Sequence, residues 1–242
     1  MAPVVLVTSD RRDPGGFGSG PRIRPRRPEA WVSESYVDAV RQAGGIPLVL
    51  PPGCREVEAV LACADGVLLT GGHFDIHPRH YGAEVSGRLD RVEESRTISE
   101  LELARVCLAR DIPVLGVCGG MQAMAVAAGG TLIQDLPKPD AQHPHRLDHE
   151  QPTDPALPHH VVQVAAPALD WLGASVQANS THHQAVDRPG VGLVACGWSE
   201  DGVIEVIAST EHRFALGVQW HPELLGQLDA YRALIGACRP PG

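Results

Sequence analysis

The stretch Ile112-Pro113-Val114-Leu115-Gly116-Val117-Cys118-Gly119-Gly120-Met121 changes its pattern at a single cysteine. The apolar run before the cysteine, 112–117, is typical of a buried strand, and the run after it, 121–128, is typical of a helix. A nucleophile between small residues at a sharp strand-to-helix turn forms an elbow, which lifts the reactive atom clear of the backbone. The stretch therefore predicts a strand–elbow–helix unit of an α/β fold, with Cys118 as its nucleophile.

The rest of the first half alternates short apolar runs with longer amphipathic runs, which is the pattern of βαβ units around a parallel sheet. The predicted strands are Val4–Thr8, Pro47–Leu50, Val67–Leu69 and Pro113–Val117. The predicted helices are Glu29–Ala43, Arg55–Cys63 and Glu94–Arg110. The last helix is expected to bury one apolar face, made of Ile98, Leu101, Ala104, Val106 and Leu108. Its acidic residues are expected to form one solvated face, made of Glu93, Glu94, Glu100 and Glu102.

The second half brings four further strand-like runs close together in sequence. These strands are predicted at Val161–Ala165, Leu193–Cys196, Val203–Ala208 and Ala215–Val218, followed by a closing helix at Leu224–Ala237. Because these runs are joined by turn residues and not by helices, they are expected to pair antiparallel. A chain of 242 residues fits a single α/β domain, so we expect one domain over 1–242 with a mostly parallel central sheet and added antiparallel strands.

A second motif near the end of the chain, Trp220-His221-Pro222-Glu223, supplies partners for the cysteine. Residues two apart in an extended segment face the same side, so Glu223 can orient the ring of His221. A thiol, an imidazole base and an orienting carboxylate together predict attack on an amide carbonyl. Each motif taken alone has a plainer interpretation: Cys118 as a small buried residue, and the His-Glu pair as surface residues.

Four ordered motifs resemble those of class I glutamine amidotransferase-like hydrolases, and most closely the γ-glutamyl-γ-aminobutyrate hydrolase group of cysteine peptidases. The motifs are Gly116–Gln122, Asn179–Gln184, Glu200–Glu205 and Gly217–Glu223. The resemblance implies a flavodoxin-like three-layer sandwich and a covalent γ-glutamyl thioester on a Cys-His-Glu triad. The site residues that it implies are Cys118, His221 and Glu223 as the triad, Gly72 and Gly119 as the oxyanion hole, and Gln122 as a contact of the glutamyl group.

The sequence departs from the family pattern at three positions. Gly119 stands where the family usually has arginine, Ala125 where asparagine is common, and Thr97 where aspartate is usual. A backbone amide survives at Gly119, so the change leaves an oxyanion donor in place. The departures therefore bear on the choice of substrate more than on the reaction.

Histidines elsewhere offer further candidates. His182 and His183 are adjacent in an extended segment, so one of them is expected to face the site, where it contacts substrate or supports the triad. Five more histidines are interpreted as solvated loop residues and not as a metal site, because a proline-rich loop rarely fixes metal geometry. They are His143, His145, His149, His159 and His160, with His160 expected to pack at the start of its strand.

Composition limits the kinds of binding partner and the cellular compartment that are expected. The net charge of −9 disfavours nucleic acid and an anionic membrane as partners, and no apolar run approaches the roughly 20 residues that cross a bilayer. Six scattered cysteines, and a start without the basic region of a signal peptide, favour the cytoplasm. No metal or organic cofactor is expected. The partner is expected to be a small γ-glutamyl substrate, and the resemblance makes a homodimer an open alternative to a monomer.

Two irregular segments, 11–28 and 137–158, are rich in proline and are interpreted as surface loops. Both follow elements that should end on the carboxyl edge of the sheet, where open α/β folds bind ligands. Each segment is therefore also a candidate lid.

Three functions remain open at the level of sequence. The leading one is a cysteine hydrolase that cleaves γ-glutamyl amides. The second keeps the chemistry but delivers ammonia from glutamine to a separate synthase. The third is a non-catalytic binding module on the same fold.

Overall fold

The structure, a computed structural model, describes residues 1–12, 27–150 and 154–239, so the predicted loops 11–28 and 137–158 lie partly outside the described residues. The strands are β1 (Val4–Thr8), β2 (Asp10–Arg12), β3 (Glu29–Trp31), β4 (Ile46–Leu50), β5 (Gly66–Leu69), β6 (Val114–Val117), β7 (Thr131–Ile133), β8 (His160–Val164), β9 (Ser175–Ala178), β10 (Ala185–Arg188), β11 (Val194–Trp198), β12 (Ile204–Ala208) and β13 (Ala215–Val218). The helices are α1 (Glu34–Gln42), α2 (Val57–Leu61), α3 (Glu94–Arg110), α4 (Gly119–Ala127), α5 (Leu169–Leu172) and α6 (Asp229–Ala237). None of the helices among the described residues has the length and apolar character needed to span a membrane.

One mixed sheet of 11 strands forms the centre of the fold. Its order is β4-β1-β5-β6-β13-β12-β11-β8-β9, and β10 pairs with both β12 and β7. The strands from β4 to β13 run parallel, and the strands from β12 to β9 each run antiparallel to their neighbours. In the parallel part β6 and β13 lie side by side, with Val117 opposite Val218. Because parallel strands end at the same edge of a sheet, the residues that follow β6 and β13 emerge next to each other.

Helices cover both faces of the parallel strands. On one face α1 and α6 pack through a core that includes Tyr231, and on the other α3 and α4 pack through a core that includes Leu103. In strand β1 successive side chains point to opposite faces of the sheet, so Val5 and Val7 lie in the first core and Leu6 lies in the second. The architecture is the predicted α/β fold, a flavodoxin-like three-layer sandwich with added antiparallel strands.

Three elements, β1, β13 and α3, have the bounds that the sequence predicts, and the other predicted elements are shifted at their ends by one to five residues. The largest shifts, of five residues, are at the starts of α1 and α6. Helix α1 begins at Glu34 because Glu29–Trp31 pairs with Asp10–Arg12 as strands. The strands β2, β3, β7, β9 and β10 are missing from the prediction. Each has three or four residues and includes polar side chains, so none forms a continuous apolar run like that of the equally short β13.

The buried and exposed faces of helix α3 differ from those predicted. Ile98, expected in the core, has 55% of its surface exposed. Glu100, expected in solvent, is buried and accepts hydrogen bonds from Arg96 Nε at 2.9 Å and from Thr8 Oγ1 at 2.6 Å. Arg96 and Glu100 lie one helical turn apart, and their pairing allows two charged residues to lie inside. The prediction of a solvated acidic face is therefore wrong for Glu100, and also for Glu93, which is buried.

Gly120 sets how closely α4 packs on the sheet. A Cβ atom added there would overlap the backbone carbonyl group of Leu69 in β5, whose carbon would lie 2.6 Å away. A backbone group cannot rotate away from such an overlap, whereas a flexible side chain can. We therefore expect Gly120→Ala to destabilise the protein by about 3 kcal/mol or more, and to lower Tm by on the order of 6–12 °C.

Gly119→Ala, one residue earlier in the same helix, is the matched control. The nearest contact of its added Cβ would be the Phe74 ring, at an ordinary 3.5 Å, so we expect a Tm within about 2 °C of the wild type. Thermal unfolding followed by circular dichroism compares the two variants. Equal Tm values for both would contradict the close packing described at Gly120.

Candidate active site

The turn between β6 and α4 places Cys118 at the predicted elbow. Cys118 has φ 52° and ψ −111°, a left-handed backbone conformation that is rare for a residue with a side chain. Its amide donates to Val218 O at 2.8 Å, which ties the elbow to the end of the neighbouring strand β13. Gly116 makes the sharp turn feasible, because a Cβ there would lie 2.6 Å from the backbone of Gly120.

The segment after β13 brings His221 to the same place. A Cβ atom built on Gly71 would lie 2.7 Å from His221 Cε1 and 3.1 Å from Cys118 Cβ, so the three residues meet at one point. The meeting follows from the pairing of β6 with β13, since Cys118 and His221 each follow one of these adjacent strands. Two motifs about a hundred residues apart in sequence thus form one group.

Glu223 fixes the orientation of the His221 ring. The Nδ1 atom of His221 lies 2.7 Å from Glu223 Oε1, which leaves Nε2 for the thiol of Cys118. The hydroxyl of Tyr231 donates to the other oxygen of Glu223 at 3.2 Å, and the amide of His221 donates to Asn179 Oδ1 at 2.8 Å. Burial alone would lower the pKa of His221, but the charges of Glu223 and of a Cys118 thiolate raise it well above its usual value. The group is therefore built to hold a proton on the imidazole.

Tyr36, on α1, belongs to this group and was not found by sequence reasoning. Its hydroxyl accepts a hydrogen bond from the Gly71 amide at 2.9 Å and lies 3.1 Å from His221 Nδ1. Burial, and next the charge of Glu223, raise the pKa of Tyr36 well above its usual value, so the hydroxyl keeps its proton. The only signal in the sequence is that Tyr36 shares the buried face of its helix with Ala39 and Val40.

The two glycines predicted as an oxyanion hole, Gly72 and Gly119, border the same cavity as Cys118. The amide of Gly71 is occupied by Tyr36, whereas the amides of Gly72 and Gly119 have no hydrogen-bond partner among the residues that the structure describes. Arg96, fully buried, holds the glycine turn by donating to Gly71 O at 3.1 Å and to Thr70 O at 2.7 Å. This leaves two backbone donors for a developing negative charge.

Gln122 and His183 form part of the wall of this cavity, which has a volume of about 330 Å³. Gln122 Nε2 donates to Gln184 O at 2.9 Å and to Gln219 Oε1 at 3.2 Å, and Gln219 Nε2 in turn lies 3.6 Å from Cys118 Sγ. His183 places Nε2 at 2.9 Å from Asp75 Oδ1 and Nδ1 at 3.2 Å from a second carboxylate. The carboxylate of Asp75 is the main cause that raises the pKa of His183.

His182 also borders this cavity, but its ring nitrogens contact other groups. Its Nδ1 lies 3.0 Å from Gln184 O, and its Nε2 lies 3.7 Å from Glu205 Oε1. The adjacent histidines thus contact different parts of the molecule, with His183 on the acidic wall of the cavity and His182 on a buried carboxylate.

The prediction that the loop histidines are solvated is wrong for His149. This side chain is buried, with Nε2 3.2 Å from Asp201 Oδ2 and Nδ1 3.1 Å from Ser180 Oγ. Burial lowers the pKa of His149 to about 4. The prediction fails because these partners lie 31 or more residues away in sequence. His160 is also buried and begins β8, as expected.

Comparison with known proteins agrees with this fold. The family model described as Peptidase C26 matches residues 20–223. The chain is 30% identical over 250 residues to a Rickettsia prowazekii (strain Madrid E) protein with the provisional name glutamine amidotransferase-like protein, covering 86% of this chain and 89% of that one. It is 33% identical over 202 residues to gamma-glutamyl-gamma-aminobutyrate hydrolase PuuD of Escherichia coli (strain K12), covering 79% and 78%. The crystal structure of a Thermoplasma acidophilum protein, provisionally named as one of the subunits of a GMP synthase, superposes with a TM-score of 0.63 at 15% identity, covering 98% of this chain and 94% of that one.

Proposed function

The chain belongs to the peptidase C26 family within the class I glutamine amidotransferase-like superfamily, and on that basis we propose that it hydrolyses γ-glutamyl amides through a thioester on Cys118. The observation that carries the proposal is the group formed by Cys118, His221 and Glu223 at the edge of a cavity. A strained cysteine at a helix N-terminus, with an oriented imidazole beside it, is the arrangement that activates a thiol for acyl transfer.

The reaction follows from the positions of the donors and the base. The sulfur of Cys118 adds to the γ-carbonyl carbon, and the amides of Gly72 and Gly119 donate to the oxygen as it becomes negative. The imidazolium of His221 gives its proton to the departing amine as the C–N bond breaks and the thioester forms. A water molecule then loses a proton to His221 and attacks the thioester, which releases glutamate and returns the proton to the sulfur.

Two neighbouring cavities share Gly72 and Thr181 in their walls, and Cys118 borders one of them. We assign one half of the substrate to each cavity. The cavity with Gln122 and Arg91 has polar and charged walls, which suit the ammonium and carboxylate groups of a glutamyl moiety. The other cavity, of about 260 Å³, has Trp31, Val32 and Leu224 in its wall. Burying an alkyl or aromatic group against such a wall is favourable. The departing amine in the proposal is therefore one with an apolar group.

The test is a screen of γ-glutamyl compounds with the isolated chain, in which glutamate release is measured. The panel contains glutamine, γ-glutamyl-γ-aminobutyrate and γ-glutamyl amides of alkyl and aryl amines, with α-glutamyl isomers as matched controls. We expect release from the γ-glutamyl amides, fastest for amines with an apolar group, and none from the α-isomers.

Two outcomes would contradict the proposal. If only glutamine were hydrolysed, and only after a synthase was added, the chain would be a glutaminase subunit. If no γ-glutamyl compound were cleaved while Cys118 stayed inert to a mild alkylating agent near neutral pH, a non-catalytic binding module would be the better assignment.

A further inference from the structure

Behind the active site, three imidazole rings converge on one carboxylate. Glu205, on β12, is fully buried, and its Oε1 atom lies 3.3 Å from His160 Nε2, 3.7 Å from His182 Nε2 and 3.8 Å from His149 Nδ1. The side chains of all three histidines have no more than 3% of their surface exposed. The proposed reaction uses none of these contacts, so the cluster needs an explanation of its own.

The hydrogen bonds of His182 determine where its proton lies. Its Nδ1 lies 3.0 Å from the carbonyl oxygen of Gln184, which only accepts hydrogen bonds, so Nδ1 carries the proton of the neutral ring. Nε2 then presents a lone pair toward Glu205. Two lone pairs that face each other repel unless a positive charge lies between them.

His149 is oriented in the same way from the opposite side. Its Nε2 donates to the carboxylate of Asp201 at 3.2 Å, which leaves a lone pair on Nδ1. The hydroxyl of Ser180 lies 3.1 Å from that Nδ1, but it donates its proton to His149 O at 2.9 Å. The lone pair of Nδ1 is therefore directed into the cluster without a donor.

The remaining atoms of the cluster have no partners either. Among the described residues, both ring nitrogens of His160, Nε2 of His182 and both carboxylate oxygens of Glu205 are buried without a hydrogen bond. A buried polar atom that stays unpaired destabilises the fold. Of these atoms, His160 Nε2 and His182 Nε2 lie beside the Glu205 carboxylate, and a ligand bound between them is the simplest explanation.

We propose that His149, His160 and Glu205 bind one divalent transition-metal ion, with Zn²⁺ the best match, and that His182 is the fourth group at the site. The ligand atoms of the first three residues all lie within 4.8 Å of one another. Ligands of a tetrahedral zinc ion, each at about 2.0–2.1 Å from the metal, are separated by roughly 3.3 Å, which is the spacing of His160 Nε2 and Glu205 Oε1. The Asp201 carboxylate behind His149 is the kind of partner that orients a metal-bound imidazole.

Such an ion joins parts of the chain that surround the active site. His149 lies within the predicted loop 137–158, His160 begins β8, and Glu205 lies in β12. His182 belongs to the segment in which Asn179 accepts from the His221 amide at 2.8 Å and Gln184 O accepts from Gln122 at 2.9 Å. The ion therefore has a positioning role, since it fixes the segment that holds the base and the cavity wall.

The test measures metal bound to the full chain carrying Cys118→Ala, which removes the active-site sulfur as a competing ligand. After loading with Zn²⁺ and dialysis, elemental analysis is expected to give about one zinc per chain, as for a closed site of four protein ligands. Cobalt in place of zinc is expected to give the intense visible absorption of a tetrahedral site. Removal of the metal with a chelator is expected to lower Tm by about 5–10 °C, as for a ligand present at on the order of 100 times its Kd.

Substitutions locate the site. Glu205→Gln and His160→Gln are expected to weaken zinc binding by more than ~100-fold, and Asp201→Asn, which keeps the ligands, by about 10–100-fold. His145→Gln changes an exposed histidine of the same loop and is expected to bind zinc like its parent.

Two results would overturn the proposed metal site, and neither of them would contradict the proposed hydrolase activity. One is failure of the folded parent chain to bind zinc or cobalt, which would leave a proton-bridged cluster of histidines and Glu205. The other is full zinc binding by a folded Glu205→Gln variant, which would place the ion elsewhere. Because the first result needs no substitution, the proposal stays testable even if the cluster variants fail to fold.

Discussion

Cys118→Ala is expected to lower glutamate release from γ-glutamyl amides by roughly 10⁴- to 10⁶-fold, the range seen when the nucleophile of an acyl-transfer enzyme is removed. The loss is expected in kcat, because the cavity walls and the donors at Gly72 and Gly119 remain and still bind substrate. The alanine keeps the backbone conformation of φ 52° and loses only one buried atom. We therefore expect a Tm within about 3 °C of the wild type.

The control is Cys196→Ala, which removes a buried thiol from β11, three strands away from β6 in the sheet. Burial raises the pKa of Cys196 to about 11, so this thiol stays protonated and unreactive, and its substitution should leave turnover unchanged. Alkylation mapped by mass spectrometry provides a second measurement, because loss of activity should follow modification of Cys118. Wild-type turnover by Cys118→Ala would end the assignment of this residue as the nucleophile.

The parts of the fold that the sequence predicts are those where one residue pattern decides the structure. In β1 the alternation of Val5, Leu6 and Val7 assigns each side chain to one of two cores, and the strand has the predicted bounds. The faces of α3 are mispredicted because Glu100 is placed by Arg96 and Thr8, and Thr8 lies 92 residues away. Charge alone does not reveal whether an acidic residue has a buried partner.

Site residues differ in the same way: those marked by a local motif can be predicted from the sequence, and those defined by distant contacts cannot. The elbow at Cys118 is local, since small residues on both sides of a nucleophile signal the turn by themselves. Tyr36 depends on contacts with Gly71 and His221, which are 35 and 185 residues away. A tyrosine on the buried face of a helix has the same pattern whether it fills a core or contacts a site. Long-range partners of this kind become visible only when the strands are paired.

Glu223→Gln is the second substitution for which a large effect is expected. Glutamine has nearly the shape of glutamate but no charge, so the ring of His221 loses the carboxylate that lies 2.7 Å from its Nδ1. We expect kcat to fall by about 10²- to 10⁴-fold, because an amide can also donate to the ring and so favour the wrong tautomer. Glu211→Gln, which changes an exposed carboxylate after β12, is the matched control and should behave as the wild type.

The pH dependence of Glu223→Gln distinguishes an electrostatic role from a structural one. Glu223 favours the protonated ring, so it is one of the charges that raise the pKa of His221 above its usual value. Removing that charge must lower this pKa, and the imidazolium that protonates the departing amine is then lost at a lower pH. The alkaline limb of the kcat profile is therefore expected to move to lower pH in Glu223→Gln and to stay in place in Glu211→Gln. A variant with reduced kcat but an unshifted alkaline limb would show that Glu223 acts only by holding the loop together, and the electrostatic part of the mechanism would be wrong.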